Sequence, residues 1–302
     1  MDTKLVSGLR SGKILLIGRP NVGKSTFVNN LIGQKVAITS PKPQTTRFPI
    51  LALYEDSRGK IVFVDTPGIM EKTKDHLSQK INKKTLEVIN EEVDLVLYMV
   101  DPTRKRDFEE AKVLGIVRKI NRPKLLIMNK NEDKDALFLP QYKFLEEEFN
   151  SIFYISALYK KNLKPLLDKI FELLPEIKTS GVKKGTPEVV NTSGYPLLNL
   201  DSKTFVAELI REKVFLDMGE EIPYTTTVIV DDIKERSSQL TYIKARILTT
   251  ADRYKKMLIG KNGRKIKEIG WMARKEIALA TNRKIYLNLK VETDPHWQEV
   301  YY

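Results

Sequence analysis

A glycine-rich octapeptide near the start of the chain has the residue types and spacing of a phosphate-binding loop. Residues 18–25 (Gly-Arg-Pro-Asn-Val-Gly-Lys-Ser) fit the pattern G-x-x-x-x-G-K-[ST]. They follow a short apolar run and precede a helical stretch, which is the context that the motif requires. The glycines let successive backbone N–H groups point at phosphate oxygens, and the positive end of the helix adds to the attraction. Lys24 can then reach the β- and γ-phosphates, and the Ser25 hydroxyl can ligate Mg²⁺.

A second motif offers an acid for the same metal ion. The segment 65–68 (Asp-Thr-Pro-Gly) follows a predicted strand. Its acid could hold Mg²⁺ through water, and its glycine could offer an N–H group to the γ-phosphate. Between the two motifs, the segment 41–48 contains Thr45 and Thr46, one of which could close over Mg²⁺ when the γ-phosphate is present. The residues predicted to ligate Mg²⁺ are Ser25, Thr46 and Asp65.

Two short motifs further along the chain could hold a nucleotide base. The dipeptide 129–130 (Asn-Lys) follows the predicted strand 125–128, and the tripeptide 156–158 (Ser-Ala-Leu) follows the predicted strand 152–155. Ligands of open α/β sheets bind at the carboxyl ends of the strands. We therefore expect both motifs at the same edge of the sheet as the phosphate-binding loop.

The first half of the chain alternates short apolar runs with helical stretches. Continuous runs rich in Ile, Val and Leu are typical of strands that are buried on both faces of a parallel sheet. The predicted strands are 14–17, 50–54, 61–64, 95–100, 125–128 and 152–155, and the predicted helices include 25–31, 107–120, 140–150 and 163–174. This alternation predicts an α/β domain with a doubly wound, mostly parallel sheet, in which 50–54 is an antiparallel edge strand.

After residue 175 the pattern lapses into a stretch rich in Gly, Pro, Ser, Thr and Lys, and then the order of elements changes. The later elements follow the order α-β-β-α-α-β, which is typical of a smaller α+β domain. They are predicted at 202–216, 225–231, 240–248, 252–259, 264–280 and 284–292. We therefore divide the chain into a nucleotide-binding domain (1–178), a linker (179–200) and a C-terminal domain (201–302). Trp271 and Trp297 are both expected in the core of that last domain.

The net positive charge is concentrated in the C-terminal domain. The chain has 52 Lys and Arg residues against 39 Asp and Glu, a formal net charge of +13, and the window 253–290 contains twelve of those cations but only two of the acids. Such an excess favours an anionic partner, either nucleic acid or an acidic membrane surface. Because the chain has no cysteine, disulfides and thiolate-bound zinc are excluded. The polar N-terminus does not resemble a secretory signal, and no apolar run is long enough to span a bilayer.

Residues 259–263 (Ile-Gly-Lys-Asn-Gly) place a G-x-x-G loop between two predicted helices of this basic window. The loop, the order of elements and the charge together resemble a type II KH domain, whose loop clamps the backbone of about four unstacked nucleotides. The glycines admit close backbone approach, Lys261 supplies charge, and Asn262 can donate to phosphate. The predicted RNA-binding residues are Ile259, Gly260, Lys261, Asn262, Gly263, Arg264 and Lys265.

The motifs of the first domain, taken in order, resemble those of the translation-factor-like GTPases, specifically the TrmE–Era–EngA group. The fourth motif of that group is Asn-Lys-x-Asp, whose Asp pairs with guanine, whereas this chain has Glu132 at that position and Asp133 one residue later. A Glu carboxylate can still accept both guanine protons, although its longer arm requires the base or the loop to shift. The nucleotide-binding residues implied by the resemblance are Gly18, Arg19, Pro20, Asn21, Val22, Gly23, Lys24, Ser25, Thr26, Thr45, Thr46, Asp65, Thr66, Pro67, Gly68, Asn129, Lys130, Glu132, Ser156, Ala157 and Leu158.

The resemblance also implies how hydrolysis is achieved. Ile69 follows Gly68 where many small GTPases carry a Gln, so no side chain at this position can orient the attacking water. Several members of the group instead use a K⁺ ion that is held in part by the P-loop Asn, which Asn21 matches. We therefore expect slow intrinsic turnover, with K⁺ or a partner completing the site. The residues expected to act in catalysis are Asn21, Lys24, Thr46 and Gly68, with Asn21 as a K⁺ ligand.

A P-loop GTPase joined to a KH domain is typical of the Era-type GTPases within that group. Membership implies a switch that binds and hydrolyses GTP, uses Mg²⁺, binds 16S ribosomal RNA near its 3′ end, and acts in assembly of the small ribosomal subunit. It also implies a cytoplasmic protein with loose peripheral contact with the membrane, and no DNA, disulfide or zinc partner. Two alternatives stay open at this point: a non-catalytic RNA-binding assembly protein with a structural nucleotide, and a P-loop ATPase with an RNA-binding domain.

Overall fold

The computed structural model describes residues 8–69, 76–130, 137–177, 199–219, 221–237 and 239–302. The chain divides into two compact units. The first unit comprises Met1–Ala37, Thr46–Lys72 and Ile81–Asn199, and the second comprises Ile38–Thr45, Thr73–Lys80 and Leu200–Tyr302. Two short segments from the first half of the chain are therefore grouped with the C-terminal residues.

The first unit is built on a six-stranded sheet with the order β2-β3-β1-β4-β5-β6. All neighbouring strands are parallel except β2 and β3, which form an antiparallel hairpin at one edge. The elements are β1 (Arg10–Ile17), α1 (Lys24–Ile32), β2 (Ile50–Asp56), β3 (Gly59–Asp65), α2 (His76–Ile89, whose first residues belong to the second unit), β4 (Leu95–Val100), α3 (Phe108–Lys119), β5 (Lys124–Met128), α4 (Leu145–Glu148), β6 (Ile152–Tyr154) and α5 (Leu163–Leu173). The prediction of a mostly parallel α/β sheet with an antiparallel edge strand is confirmed.

The strands form because their apolar runs can be buried on both sides. All six residues of β4 (Leu-Val-Leu-Tyr-Met-Val) are buried at the centre of the sheet. The α3 helix begins after Asp107, whose carboxylate accepts a hydrogen bond from the N–H of Glu110 (3.0 Å) and so caps the helix. Its buried residues Glu110, Val113, Leu114 and Val117 recur at helical spacing and form the face that packs inward.

The predicted helix at 140–150 is wrong. The segment forms a 3₁₀ turn (Leu139–Tyr142) followed by the short α4, with the chain extended again at Phe149. The side chain of Tyr142 is fully buried, and its hydroxyl donates to the carbonyl of Arg104 (3.0 Å). This tertiary contact fixes the first turn in a conformation that a continuous α-helix would not provide.

The C-terminal part of the second unit is an α+β fold with a three-stranded sheet of order β7-β8-β9. β7 and β8 are antiparallel, and β8 and β9 are parallel. The elements are α6 (Ser202–Asp217), β7 (Thr226–Glu235), β8 (Leu240–Thr249), α7 (Asp252–Ile259), α8 (Arg264–Thr281), β9 (Lys284–Thr293) and α9 (Trp297–Val300). α6 packs on β7 and α8 on β9, and the two helices also pack on each other. The predicted order of elements is confirmed.

The two tryptophans have different environments. Trp297 is fully buried, and its indole N–H donates to the carbonyl of Thr225 (3.1 Å). Trp271 lies on the outer face of α8 with 56% of its surface exposed, so the prediction that it belongs to the core is wrong. Within the described part of the chain, no helix combines the length and the apolar character needed to cross a lipid bilayer.

Candidate functional site

The glycine-rich loop joins β1 to α1 and turns sharply to do so. Asn21 and Gly23 have positive φ angles of 63° and 104°. A side chain at Gly23 would be strained by this angle and would also place its Cβ 2.2 Å from the amide nitrogen of Asn129, so glycine is required there. α1 begins directly after it, at Lys24, which places the positive end of the helix at the loop.

The ammonium group of Lys24 is folded back over the loop. It donates to the carbonyls of Gly18 (3.0 Å) and Arg19 (2.9 Å), and the residue is only 6% exposed. Burial lowers the pKa of Lys24 to about 8, although the nearby charge of Asp65 opposes this shift. An anionic phosphate in the loop would favour the charged form of this lysine.

Three oxygen-bearing side chains meet beside the loop. The hydroxyl of Ser25 donates to Asp65 Oδ2 (2.6 Å), and Thr46 Oγ1 lies 3.1 Å from Ser25 Oγ. Asp65 is fully buried, which raises the pKa of its carboxyl to about 6, and its Oδ1 has no hydrogen-bond partner among the described residues. A set of hard oxygen donors with one buried acceptor oxygen to spare fits Mg²⁺.

The two neighbouring threonines of the 41–48 segment face different partners. Thr46 contacts Ser25, whereas the hydroxyl of Thr45 donates to the carbonyl of Lys42 (2.7 Å) and lies 2.9 Å from Ser40 Oγ. Of these two candidates, only Thr46 has its hydroxyl beside the predicted metal ligands.

The Asp-Thr-Pro-Gly segment closes against the glycine-rich loop. The Thr66 hydroxyl donates to the carbonyl of Leu16 (2.7 Å), which ties the segment to the end of β1. Gly68 approaches Pro20 so closely that an added Cβ would lie 2.4 Å from the Pro20 nitrogen. A larger residue at position 68 would therefore push the two loops apart.

The motifs predicted to hold the base are tied to the glycine-rich loop by the buried side chain of Asn129. Its amide N–H donates to the carbonyl of Val22 (2.7 Å), and its carbonyl accepts from the N–H of Ala157 (2.9 Å). The ammonium group of Lys130 pairs with the carboxylate of Asp101 (2.5 Å). Three motifs far apart in sequence are thus brought together, whereas Glu132 lies outside the described residues.

The side chain of Arg19 is fully buried and is directed into the protein interior. Its Nε lies 2.6 Å from Glu110 Oε2, and its terminal nitrogens donate to Asp107 Oδ2 (2.8 Å) and to the Tyr142 hydroxyl (2.9 Å). Burial opposes the charge, but the attraction of Glu110 and Asp107 outweighs it and raises the pKa of Arg19 above its ordinary value. The guanidinium therefore anchors the glycine-rich loop to α3 on the side of the protein interior.

Sequence reasoning did not find the partners of Arg19. Asp107 and Glu110 have the spacing of a helix cap and its third residue, which indicates the start of α3. Glu110 also falls in register with the apolar residues of that helix, and an acid on an apolar face is a signal that it has a buried partner. Nothing in the local sequence identifies Arg19 as that partner.

The G-x-x-G loop joins α7 to α8 through a short turn. Gly260, Asn262 and Gly263 have positive φ angles of 69°, 52° and 75°. Lys261 and Asn262 are exposed on it, and α8 starts at Arg264, which is also exposed. The remaining predicted contacts, Ile259 and Lys265, are half-buried. The ammonium of Lys265 is engaged by Asp217 (2.9 Å) and Glu268 (3.5 Å).

These two sites agree with what comparison with known proteins finds. Residues 13–130 match the model of the 50S ribosome-binding GTPase family, and residues 221–298 match that of the KH domain. The fold and the two sites therefore define a P-loop GTPase followed by a KH domain.

Full-length relatives narrow the class to one family. GTPase Era of Halothermothrix orenii is 38% identical over 292 residues, covering 96% of this chain and 95% of the relative. GTPase Era of Thermotoga maritima is 37% identical over 295 residues, covering 96% and 94%. Among solved structures, Era in complex with MgGDPNP and nucleotides 1506–1542 of 16S ribosomal RNA has a TM-score of 0.83 at 31% identity, covering 96% of this chain and 95% of that one. A point variant of Aquifex aeolicus Era bound to GDP·AlF4⁻ has the same TM-score and identity, covering 96% of each chain. The chain belongs to the Era family of GTPases.

The anchor of Arg19 gives a testable prediction. Replacing Glu110 by Gln keeps the volume but removes the charge that faces the buried guanidinium. We expect the free energy of unfolding to fall by about 3 kcal/mol, the lower end for breaking a buried ion pair, since Asp107 remains. We also expect weaker nucleotide binding, because the loop loses its support. Urea unfolding and nucleotide titration measure the two effects.

The matched control is the neighbouring acid, Glu109, which has no part in the Arg19 cluster. Glu109→Gln should change the stability by no more than about 0.5 kcal/mol. Equal effects of the two substitutions would contradict the anchoring role of Glu110.

Proposed function

We propose that this chain is a GTP-hydrolysing switch that binds 16S ribosomal RNA, near its 3′ end, in assembly of the small ribosomal subunit. The observation that carries the nucleotide part is the convergence of Lys24, Ser25, Thr46 and Asp65 beside one glycine-rich loop. The relatives solved with MgGDPNP, with GDP·AlF4⁻ and with a fragment of 16S ribosomal RNA support the choice of nucleotide, metal and RNA. The extent of the match to them supports a similar role for the whole chain.

The nucleotide is proposed to bind in the loop 18–26, with the base held by the motifs at 129–132 and 156–158. Lys24 would exchange its two carbonyl contacts for phosphate oxygens. Asp65 Oδ1, which has no hydrogen-bond partner among the described residues, would face the metal, directly or through water. Ser25 and Thr46 would complete the protein ligands. An Mg²⁺ ion held by these residues would supply positive charge against the negative charge of the phosphates. The N–H group of Gly68, held close to the loop, would meet the γ-phosphate.

Slow intrinsic turnover is part of this proposal. Ile69 follows Gly68 with 2% of its surface exposed, and an apolar side chain cannot hold a water for attack. Asn21, at the turn of the loop, is proposed to help hold a K⁺ ion that completes the site in place of a glutamine side chain. Equal turnover in Na⁺ and K⁺ buffers would contradict this role.

Guanine selectivity is proposed to rest on Glu132. A carboxylate that accepts two guanine protons is left unpaired by adenine, so wild type should bind GTP about 100-fold or more tightly than ATP. Glu132→Gln should remove most of this preference, while the control Asp133→Asn should keep it. Titration of GTP and ATP with Mg²⁺ measures the ratio. Equal binding of the two nucleotides by wild type would favour the alternative of a P-loop ATPase.

A variant of the glycine-rich loop separates hydrolysis from the role in assembly. Lys24→Ala removes the only ammonium group proposed to contact the phosphates, so it should abolish hydrolysis. If this variant still supports assembly of the small subunit, the alternative of a non-catalytic assembly protein gains instead.

The domain division is proposed as 1–178 for the GTPase domain, 179–200 for the linker and 201–302 for the KH domain. Most of the linker lies outside the described residues. The change of compact unit at Leu200 supports the last boundary, between the linker and the KH domain.

The location is proposed to be cytoplasmic, with weak peripheral attraction of the basic surface to anionic lipids.

The segment 38–45 supports a link between nucleotide and KH domain, because it belongs to the second unit. The N–H of Thr39 donates to Glu212 Oε1 on α6 (2.8 Å), and the carbonyl of Thr45 accepts from the buried guanidinium of Arg211. The ammonium of Lys42 donates to the carbonyls of Phe215 and Met218, at the end of α6. A change at Thr46, the next residue, would therefore be transmitted to α6.

Thermodynamic linkage makes this coupling measurable. If nucleotide and RNA sites are coupled, saturating RNA must change the affinity for a non-hydrolysable GTP analogue, by about fivefold or more for typical coupling energies. Lys42→Ala removes the contact between the segment and the end of α6. It should bring the ratio of the two affinities, with and without RNA, towards one. Lys35→Ala, in the preceding loop, is the control. A ratio of one in wild type would mean that the nucleotide only stabilises the fold.

The G-x-x-G loop is proposed to clamp the RNA backbone through Gly260, Lys261, Asn262 and Gly263. Lys261→Asp and Asn262→Asp, alone and together, place carboxylates against phosphate. The affinity for a single-stranded oligonucleotide from the 3′ end of 16S ribosomal RNA should fall at least about tenfold, and the salt dependence should weaken. Lys119→Asp, exposed on α3, changes the net charge as much as Lys261→Asp does and should leave the affinity nearly unchanged. Unchanged binding by the loop variants would contradict this assignment.

A further inference from the structure

The face of the second sheet that points away from α6 and α8 carries an ordered aromatic pair. Along β8 the buried residues Ile243 and Ala245 alternate with side chains that point to the opposite face. Tyr242, on that opposite face, is the register partner of Tyr286 on β9. The two rings are stacked, with their centroids 5.5 Å apart and an angle of 16° between their planes.

The pair is part of a longer stack with one open end. The guanidinium of Arg236 lies over the Tyr242 ring, 4.7 Å from its centroid, and the amide of Asn288 donates to the Tyr242 hydroxyl (3.2 Å). Tyr286 stands on the edge strand with 60% of its surface exposed. Among the described residues, no other ring or cation lies against Tyr286. One aromatic face is therefore held in place and left open.

The charges on the same face are unevenly paired. Its three carboxylates, Asp231, Asp232 and Glu292, are each bound by a cation on the face: Arg246 pairs with the first (2.8 Å) and the third (2.9 Å), and Lys234 pairs with the second (2.7 Å). The remaining cations are all exposed, and within the part of the chain that the structure describes none of them has a carboxylate partner. They are Arg236, Lys244, Lys284 and Lys290.

Packing alone explains only part of this arrangement. Cross-strand aromatic pairs do stabilise sheets, but that role needs neither an open ring face nor unpaired cations around it. Since alternate residues of a strand share a face, Lys284 and Lys290 lie on the same face of β9 as Tyr286, with Asn288 between Tyr286 and Lys290. Aromatic rings on a sheet, lined by cations that can follow a phosphate backbone, are the means by which proteins bind unpaired nucleotides.

We propose that this sheet face is a second RNA-binding surface, on which an unpaired base stacks on Tyr286 while Lys284 and Lys290 contact the flanking phosphates. The proposal rests on the proposed RNA-binding function. It concerns a different surface from the G-x-x-G loop, which precedes α8, the helix that packs on the other side of β9. The bound species is a single strand, because the bases of a duplex are already stacked on each other. The protein thus holds two separate parts of one RNA.

The test uses two single-stranded probes from the 3′ end of 16S ribosomal RNA. One is four nucleotides long, which the loop alone can hold, and the other is about 16 nucleotides long. Tyr286→Ala should weaken binding of the long probe by about fivefold or more, the lower bound for loss of one stacked base, and leave the short probe unchanged. Tyr286→Phe should bind like wild type, because the ring is kept. Tyr301→Ala, another exposed tyrosine of this unit, is the matched control.

A pair of charge variants tests the phosphate contacts without disturbing the stack. The double variant Lys284→Gln, Lys290→Gln should make the plot of log binding constant against log salt concentration shallower for the long probe. The slope should change by about 1.4, since each phosphate contact to a single strand contributes about 0.7. Fluorescence anisotropy at several salt concentrations measures the slope. An unchanged slope would overturn the phosphate contacts.

The outcomes separate this proposal from the function on which it rests. If Tyr286→Ala folds normally but binds the long probe as wild type does, the proposal of a second RNA-binding surface is wrong. Loss of binding to both probes in Lys261→Asp would still support RNA binding by the G-x-x-G loop. If wild type binds neither probe, both proposals fail. If Tyr286→Ala instead loses binding only to phosphatidylserine vesicles, the face binds lipid and the RNA proposal is overturned.

Discussion

The nucleotide site depends on a constraint from electrostatics: a charge that is buried must have a partner. Two buried cations contact the glycine-rich loop, the fully buried guanidinium of Arg19 and the ammonium of Lys24. Arg19 meets this constraint inside the protein, through Glu110, so the loop has a fixed support before any ligand arrives. The ammonium of Lys24 donates to two backbone carbonyls, with the charge of Asp65 nearby, and a phosphate in the loop would further favour its charged form. The ion pair of Arg19 fixes the loop, whereas the ammonium of Lys24 can exchange its carbonyl contacts for those of an anion.

The same constraint distinguishes the two kinds of charge in the second unit. On α6, Arg211 and Lys213 are buried and are paired with acids from the same helix, and Lys213 also pairs with Glu276 on α8. These charges join helices and the 38–45 segment to each other. In contrast, Lys261 and Arg264 at the G-x-x-G loop are exposed, and so are the four cations of the sheet face around Tyr286 that have no carboxylate partner among the described residues. Their charge is available to an anionic partner. A net charge of +13 counts both kinds equally and therefore does not indicate where a partner binds.

Much of the fold could be predicted from sequence because its signals are local. The six residues of β4 are apolar without interruption, and the bounds of α7 follow from its helical periodicity and the glycine that ends it. The failures involve partners that are distant in sequence. Tyr142 breaks a predicted helix because its hydroxyl binds Arg104, and Trp271 is exposed although its residue type favours a core. In the candidate site, the choice between two adjacent threonines also needed coordinates, since both have the same chemistry and only their surroundings differ.

In the proposed coupling, the peptide bond between those two threonines joins the nucleotide site to the RNA-binding unit. The chain passes from the second unit to the first between Thr45 and Thr46. The carbonyl of Thr45 binds the buried guanidinium of Arg211, whereas the hydroxyl of Thr46 lies beside Ser25. If Thr46 moves when the γ-phosphate is lost, Thr45 must follow or leave Arg211 with one partner fewer in a buried place, which is costly. In the proposed coupling this cost falls on the contacts of α6, so nucleotide and RNA would need no direct contact, and each would alter the affinity for the other by the same factor.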